Sequence, residues 1–416
     1  MIKIESKLRR KVDWLLRRAE GALLPDALLA EEGKHLAPAE ADAALQEIDR
    51  DTPALGIAAR LAMLNEAKDS YQSRSDYLAR YGCAGVRRFT ARGDVAIYLL
   101  PVETFPNHIN NVYLVIEPGH EMLFDTGSGL DSSRRDLALG FAVTRAMFGE
   151  KARFETIDTA VISHAHIDHF GGANDVKVKT AARLCVHELD ARVIAGFEER
   201  VVIASKDVSV FLRRAGIGDE ERARMLELYM SSRDWFRSVE VDRALRDGDL
   251  IGGGHRVIHT PGHCPGQICL LVGDVLLTSD HVLGRTTPHQ FPQAITPFGG
   301  LEHYFHSLAK VRRLDLVNLA LAGHEEPIAD LRGRVDEIAA FHRERLMKVR
   351  DICEKPRTIA EVAGEMFGKQ DGYGTILAIE EAGAHVEYLH TLGKLRIANL
   401  DEVAKTEDPV LQYIRR

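Results

Sequence analysis

SHAHIDHFGG, residues 163–172, places His164, His166, Asp168 and His169 within six consecutive positions. Exposed imidazoles do little for a fold, and burying several without partners is costly. Two readings compete here: a polar run in a loop, or part of a metal site. Immediately upstream, TIDTAVI reads as an apolar strand that runs into the cluster. Histidines at i and i+2 just beyond a strand can face the same way, because side chains alternate along it. His164 and His166 therefore suit one shared ion, while Asp168 and His169, a turn further on, would face a second. Four ligands do not complete two sites, so this reading requires more histidine and carboxylate elsewhere.

Those residues occur, each at the end of an apolar run. VIHTPGHCPG supplies His263 in a turn bracketed by glycine and proline, LLTSDHVL supplies Asp280, and LALAGHEEPI supplies His324. Upstream, EMLFDTGSG ends a strand at Asp125 in a glycine-flanked turn. Strand ends along one rim of a sheet are where α/β folds gather their sites. Cys264, beside His263, would point away if His263 points in, and is expected to have no role.

Taken in order, these segments resemble the metallo-β-lactamase superfamily, whose signature HxHxDH is matched by SHAHIDHFGG. The resemblance covers roughly residues 95–350. It implies an α/β fold, a four-layer αββα sandwich with two divalent metal ions at one edge. On that pattern His164, His166 and His263 would hold one ion, Asp168, His169 and His324 the second, and Asp280 would bridge them. Asp125 would steady a ligand histidine from behind. Zinc is the expected ion, although imidazole and carboxylate ligands suit iron and manganese as well. A helical segment between the motif groups, GHEEPI, a long helix and a terminal module resemble the branch of glyoxalase-II-like hydrolases and β-lactamase-like-2 proteins.

The remaining sequence sets the organisation. Residues 1–90 read as a helical extension, with Leu8, Val12, Leu15, Leu16 and Leu23 at helical spacing; this makes a homodimer plausible. Residues 91–350 form the expected catalytic domain, in which 189–240 is a helical insertion read as a lid. Residues 351–416 read as helix, helix and a β pair, a small winged-helix-like module. His281, Arg285 and His289, just past Asp280, are expected to line the substrate pocket.

Composition narrows the class of partner. The net charge is −8 and the C-terminal module has no basic excess, which disfavours a general polyanion binder without excluding nucleic acid. The five scattered cysteines form no CxxC pair. Neither a signal peptide nor an apolar run long enough to span a bilayer is evident, so the expectation is a cytoplasmic protein with no membrane partner. Paired divalent ions make hydroxide available at neutral pH, with Asp168 both a ligand and an acceptor of the water's proton. The expected activity is hydrolysis of a small-molecule thioester, such as acyl-CoA or acyl-glutathione, or of a lactone. Asp280 stands where antibiotic-degrading relatives commonly carry cysteine or serine, which lowers the β-lactamase reading. A single-strand-specific endoribonuclease and a non-catalytic, metal-stabilised scaffold are the alternatives.

Overall fold

The computed structural model describes residues 85–370 and 372–416. The helical extension expected over residues 1–90, with the dimer contact it implied, lies almost entirely outside the described residues. From there two sheets form in succession. The first holds β1 (Arg87–Ala91), β2 (Val95–Phe105), β3 (His108–Glu117), β4 (His120–Phe124), β5 (Thr159–Ile162), β6 (Arg183–His187) and β7 (Arg243–Leu245), in that spatial order. Pairing is antiparallel from β1 to β4 and parallel from β4 to β7. The second holds β8 (Leu250–Ile251), β9 (His255–His259), β10 (Ile268–Val272), β11 (Val275–Ser279) and β12 (Leu319–Ala322). Its order is β12–β11–β10–β9–β8, with only β11 and β12 parallel.

Side-chain alternation turns these sheets into layers. Along β2, Ile97 and Leu99 enter the core between the sheets, while Tyr98, Leu100 and Val102 enter an outer core. Along β11, Val275 and Leu277 face inward and Leu276 faces outward. Both faces of these strands are covered, so all eleven residues of β2 are buried and no polar face is visible in its sequence.

Helices supply the outer layers. On the first sheet lie α1 (Asp131–Phe148), α2 (Ile167–Phe170), α3 (Ala173–Lys179), α4 (Glu188–Ala195) and the start of α5 (Phe197–Arg214). After α6 (Asp219–Ser231) and the second sheet come α7 (Leu301–Arg312) and α8 (Leu331–Ile352). Tyr304, Leu308 and Val311 of α7 and Val335 and Ile338 of α8 cover Ile258, Leu276 and Ala320. The result is the expected αββα sandwich.

Beyond α8 the chain forms α9 (Ile359–Phe367), α10 (Tyr373–Thr391) and the antiparallel pair β13 (Leu395–Ile397) and β14 (Tyr413–Arg415). A capping box starts α9: Thr358 accepts the Glu361 N–H, and the Glu361 carboxylate accepts the Thr358 N–H. The apolar core of this terminal segment is continuous with that of the insertion. Ile359, Val362, Ile376, Ile379 and Val386 share one apolar cluster with Val208, Phe211 and Leu212 of α5 and Met225 of α6. The helical insertion and the C-terminal elements are thus a single packed body. No described helix is long and apolar enough to cross a membrane.

Candidate metal centre

The strand ends converge at one rim of the sandwich, and backbone bonds lock the two sheets together there. Ile268 N–H donates to Ser163 O at 2.9 Å, and Asn111 N–H donates to Gly323 O at 2.7 Å. Just beyond β5, His166 opens the single turn of α2, which carries Asp168 and His169 round to the neighbouring position. His263 sits in the loop between β9 and β10, Asp280 follows β11, and His324 follows β12.

Three histidines form the first group. His166 Nδ1 lies 3.0 Å from His164 Nε2 and 3.0 Å from His263 Nε2. The far side of each partner ring is already engaged. His164 Nδ1 meets Ser163 Oγ at 2.9 Å, and His263 Nδ1 donates to His289 O at 2.7 Å. With their N–H groups used there, the Nε2 lone pairs of both rings are aimed at His166 Nδ1. Burial, reinforced by the neighbouring imidazoles, lowers all three, His166 to about 3. Two Nε2 lone pairs converging on a third ring nitrogen at 3.0 Å, all on neutral rings, form a donor set suited to a cation.

Carboxylates dominate the second group. His324 Nε2 lies 3.6 Å from Asp168 Oδ2 and 3.3 Å from Asp280 Oδ2. His169 Nε2 is 3.4 Å from both Asp168 Oδ2 and Asp280 Oδ1. Asp280 also reaches the first group, with Oδ2 at 3.7 Å from His263 Nε2. Its buried Oδ1 accepts no hydrogen bond. Burial opposes ionisation of both carboxyls, yet His169 and His108 beside Asp168, and His324 and His169 beside Asp280, hold both well below the usual range. Conversely, Asp168 and Asp280 overcome the effect of burial and raise His169, with Asp280 foremost in raising His324. The group is built around positive charge, and its imidazole–carboxylate donor set suits a divalent metal.

All seven expected ligands therefore meet at this rim. Asp125 lies behind them: Oδ2 is 2.9 Å from His169 Nδ1 and accepts the Ser163 hydroxyl at 2.8 Å, and Oδ1 accepts Ser163 N–H at 2.7 Å. The expected pocket residues fare differently. His281 is fully buried, its ring set edge-on to Tyr304 of α7, so it does not line an open pocket. Arg285 is exposed, with its backbone N–H bonded to Glu325 at 2.5 Å. His289 reaches the centre through its carbonyl, while its ring lies against Phe291.

Other contributors carry no signal in the motifs. His108 Nε2 is 3.0 Å from Asp168 Oδ2, and Asn110 Nδ2 donates to the same oxygen at 3.1 Å. His108, Asp168 and His324 thus make a further group of metal-binding spacing. Asp190, at the start of α4, ties two ligand loops together: it accepts Ala165 N–H and Gly266 N–H, each at 2.8 Å. It also holds Cys264, whose thiol turns from the metal centre and donates to Asp190 Oδ2 at 3.3 Å. The polar stretch HIN, at the start of an apolar strand, is the only hint of the first pair; nothing in ELDARV marks Asp190.

A family model described as the metallo-beta-lactamase superfamily matches residues 106–324, more than half of the chain. The chain belongs to the metallo-beta-lactamase superfamily. The strand-end rim carries its candidate metal-binding centre. Two acyl-coenzyme A thioesterases, from Homo sapiens and Bos taurus, are each 30% identical over 164 residues, 38% of this chain and 53% of theirs. The chain thus spans about half the length of these curated relatives. A lactamase-like protein from Emericella nidulans is 24% identical over 61% of this chain and 63% of its own. Among solved structures, a metallo-beta-lactamase family protein from Thermus thermophilus aligns with TM-score 0.62 and 27% identity, over 77% of this chain and 98% of that one. A beta-lactamase domain protein from Burkholderia ambifaria has TM-score 0.63 and 22% identity, over 86% and 100%, and shares the fold.

Proposed function

We propose that this superfamily member hydrolyses an activated carbonyl, with a thioester such as an acyl-CoA as the preferred substrate class. The observation that carries hydrolysis is the convergence of His164, His166, His263, Asp168, His169, His324 and Asp280 on one rim. The thioester class is supported by the 30% likeness to acyl-coenzyme A thioesterases. Two divalent ions, with zinc the first choice, would be held by the three histidines and by Asp168, His169 and His324, with Asp280 between them. Such ions, when bound, acidify water and polarise a carbonyl.

The chain's own part is orientation and proton handling. Asn110 and His108 fix one oxygen of the Asp168 carboxylate, leaving Asp168 placed to hold a water and take its proton as it attacks. Asp125 and Ser163 keep His169 and His164 in the tautomers that present Nε2. The substrate is a small molecule and the expected setting is the cytoplasm; lactones remain within the same chemistry.

A panel of acyl-CoA and acyl-glutathione thioesters, lactones and single-stranded RNA tests this on the metal-loaded protein and on Asp168→Asn. The expected result is thioester turnover that falls by about 10²–10⁴-fold in the variant, the range for loss of a positioned acid–base group. Turnover of RNA alone, lost in Asp168→Asn, would replace this reading with the endonuclease. No turnover with metal fully bound would favour a scaffold.

A further inference from the structure

A second buried polar cluster lies outside the metal centre, where α8 and α10 meet the loop that follows Asp280. It comprises His342 and Arg345 of α8, Glu381 and His385 of α10, and His289 and Gln290 of the loop. His342, Glu381 and His385 have the spacing of a metal site, but the chemistry points elsewhere. Both Glu381 oxygens are taken: Oε1 accepts Arg345 Nη1–H at 2.6 Å, and Oε2 accepts Gln290 N–H at 2.7 Å. His385 donates Nδ1–H to Glu381 O at 2.7 Å, and its Nε2 faces His342 Nδ1 at 3.3 Å. A guanidinium already neutralises the only carboxylate of the three.

What the cluster does follows from the peptide it holds. The Gln290 N–H that Glu381 accepts and the His289 carbonyl that accepts His263 Nδ1–H belong to one peptide group. A carboxylate, an amide and an imidazole thus stand in line, the last turning its Nε2 toward His166 Nδ1. Metal-bound histidines are commonly oriented and made more basic by a carboxylate on the far nitrogen. A carboxylate acting through an interposed amide polarises that amide in the same sense, because hydrogen bonds in series strengthen one another.

We propose that Glu381 is a positioning residue for His263, acting through the His289–Gln290 peptide to orient the imidazole and raise its donor strength toward metal at the three-histidine group. This rests on the reading that the group holds a metal ion. Burial works to raise the Glu381 carboxyl, but His385, Arg345, His289 and His342 hold it down at about 2, so the charge is present at neutral pH. Glu380, its neighbour, reaches His289 only through the ring, at 3.6 Å, and does not touch the peptide. Glu387, two turns along α10, anchors the same loop further on, accepting Gln293 N–H at 2.6 Å and Ala294 N–H at 3.1 Å. It holds the loop without bonding the 289–290 peptide, and so serves as the control.

The test loads the full chain with cobalt(II) and measures the visible d–d absorption and the ion's affinity by chelator competition. Glu381→Gln keeps an acceptor for Gln290 N–H and removes the charge. The expected result is a shifted cobalt band and roughly 10-fold weaker binding, the lower end of the loss seen when such outer partners are changed. Glu387→Gln should match the wild type in both. Should the single variant unfold because Arg345 loses its partner, Glu381→Gln with Arg345→Gln leaves no charge unpaired and is expected to show the same shift. An unchanged band and affinity in the Glu381 variants overturns the proposal. Equal shifts in the Glu381 and Glu387 variants overturn it too, in favour of loop anchoring. A wild-type chain that binds no cobalt fails at the metal reading beneath it.

Discussion

Asp125 Oδ2 stands 2.9 Å from His169 Nδ1, and the same oxygen takes the Ser163 hydroxyl that meets His164. One buried carboxylate therefore orients a histidine in each of the two ligand groups. Asp125→Asn replaces an obligate acceptor with an amide that can turn a donor toward His169. Metal affinity should fall about 10–100-fold, read by calorimetric titration, with secondary structure by circular dichroism unchanged.

Gly323 precedes His324 and leaves no room for a side chain. A Cβ there would come within 2.3 Å of Asp280 Oδ1 and 3.0 Å of His169 Cε1. Gly323→Ala must displace Asp280, the residue between the two groups. We expect metal content measured by mass spectrometry to drop at both sites, with a stability loss of about 1–3 kcal/mol from overpacking. Retention of wild-type metal content would show that Asp280 is not needed for loading.

Metal removal should destabilise the fold. Without a cation, Asp168 and Asp280 rely on His169 and His324 for positive charge. Thermal unfolding after chelation should therefore occur at lower temperature, and re-addition of zinc or manganese should restore it. At an ion concentration about 100 times the dissociation constant, the gain from one site is about 2.7 kcal/mol.

Acid should weaken the α8–α10 junction. Burial, with help from His385 and Arg345, lowers His342 from 6.5 to about 3, against the pull of Glu381. Between those values the unfolded chain binds a proton that the native chain does not, so stability falls as pH drops through this window. The slope from this residue is about 1.4 kcal/mol per pH unit. Glu381, held at about 2 against an ordinary 4.5, acts in the same direction lower down, its contribution being present above 4.5 and lost toward 2. In urea denaturation, wild type should lose about 2 kcal/mol more than His342→Gln between about pH 7 and pH 5. Equal losses would mean that His342 is protonated in the native state.

The candidate ligands are legible in the sequence because each is a rare residue type placed where an apolar run stops, and because chemistry restricts what can stand there. The layers are legible for a related reason: long runs such as VAIYLLPV must be covered on both faces. Short edge strands offer less, since β1, β7 and β8 have no comparable run. His281 shows how a motif misleads one residue on. Ser279 adopts a left-handed conformation with φ of 45°, and the turn that aims Asp280 inward sends His281 to Tyr304. Asp190 and Glu381 are not legible, and His108 only through the HIN stretch, because their roles arise from contacts between distant segments and an acidic residue on a helix reads as solvated surface.

The apolar cluster that joins α5 and α6 to α9 and α10 also bears on how this chain can vary. Trimming the C-terminal segment would bare Val208, Phe211 and Leu212, and deleting the insertion would bare Ile359, Ile376 and Ile379. Neither can be lost alone without exposing an apolar face, so any redesign must treat the two segments together.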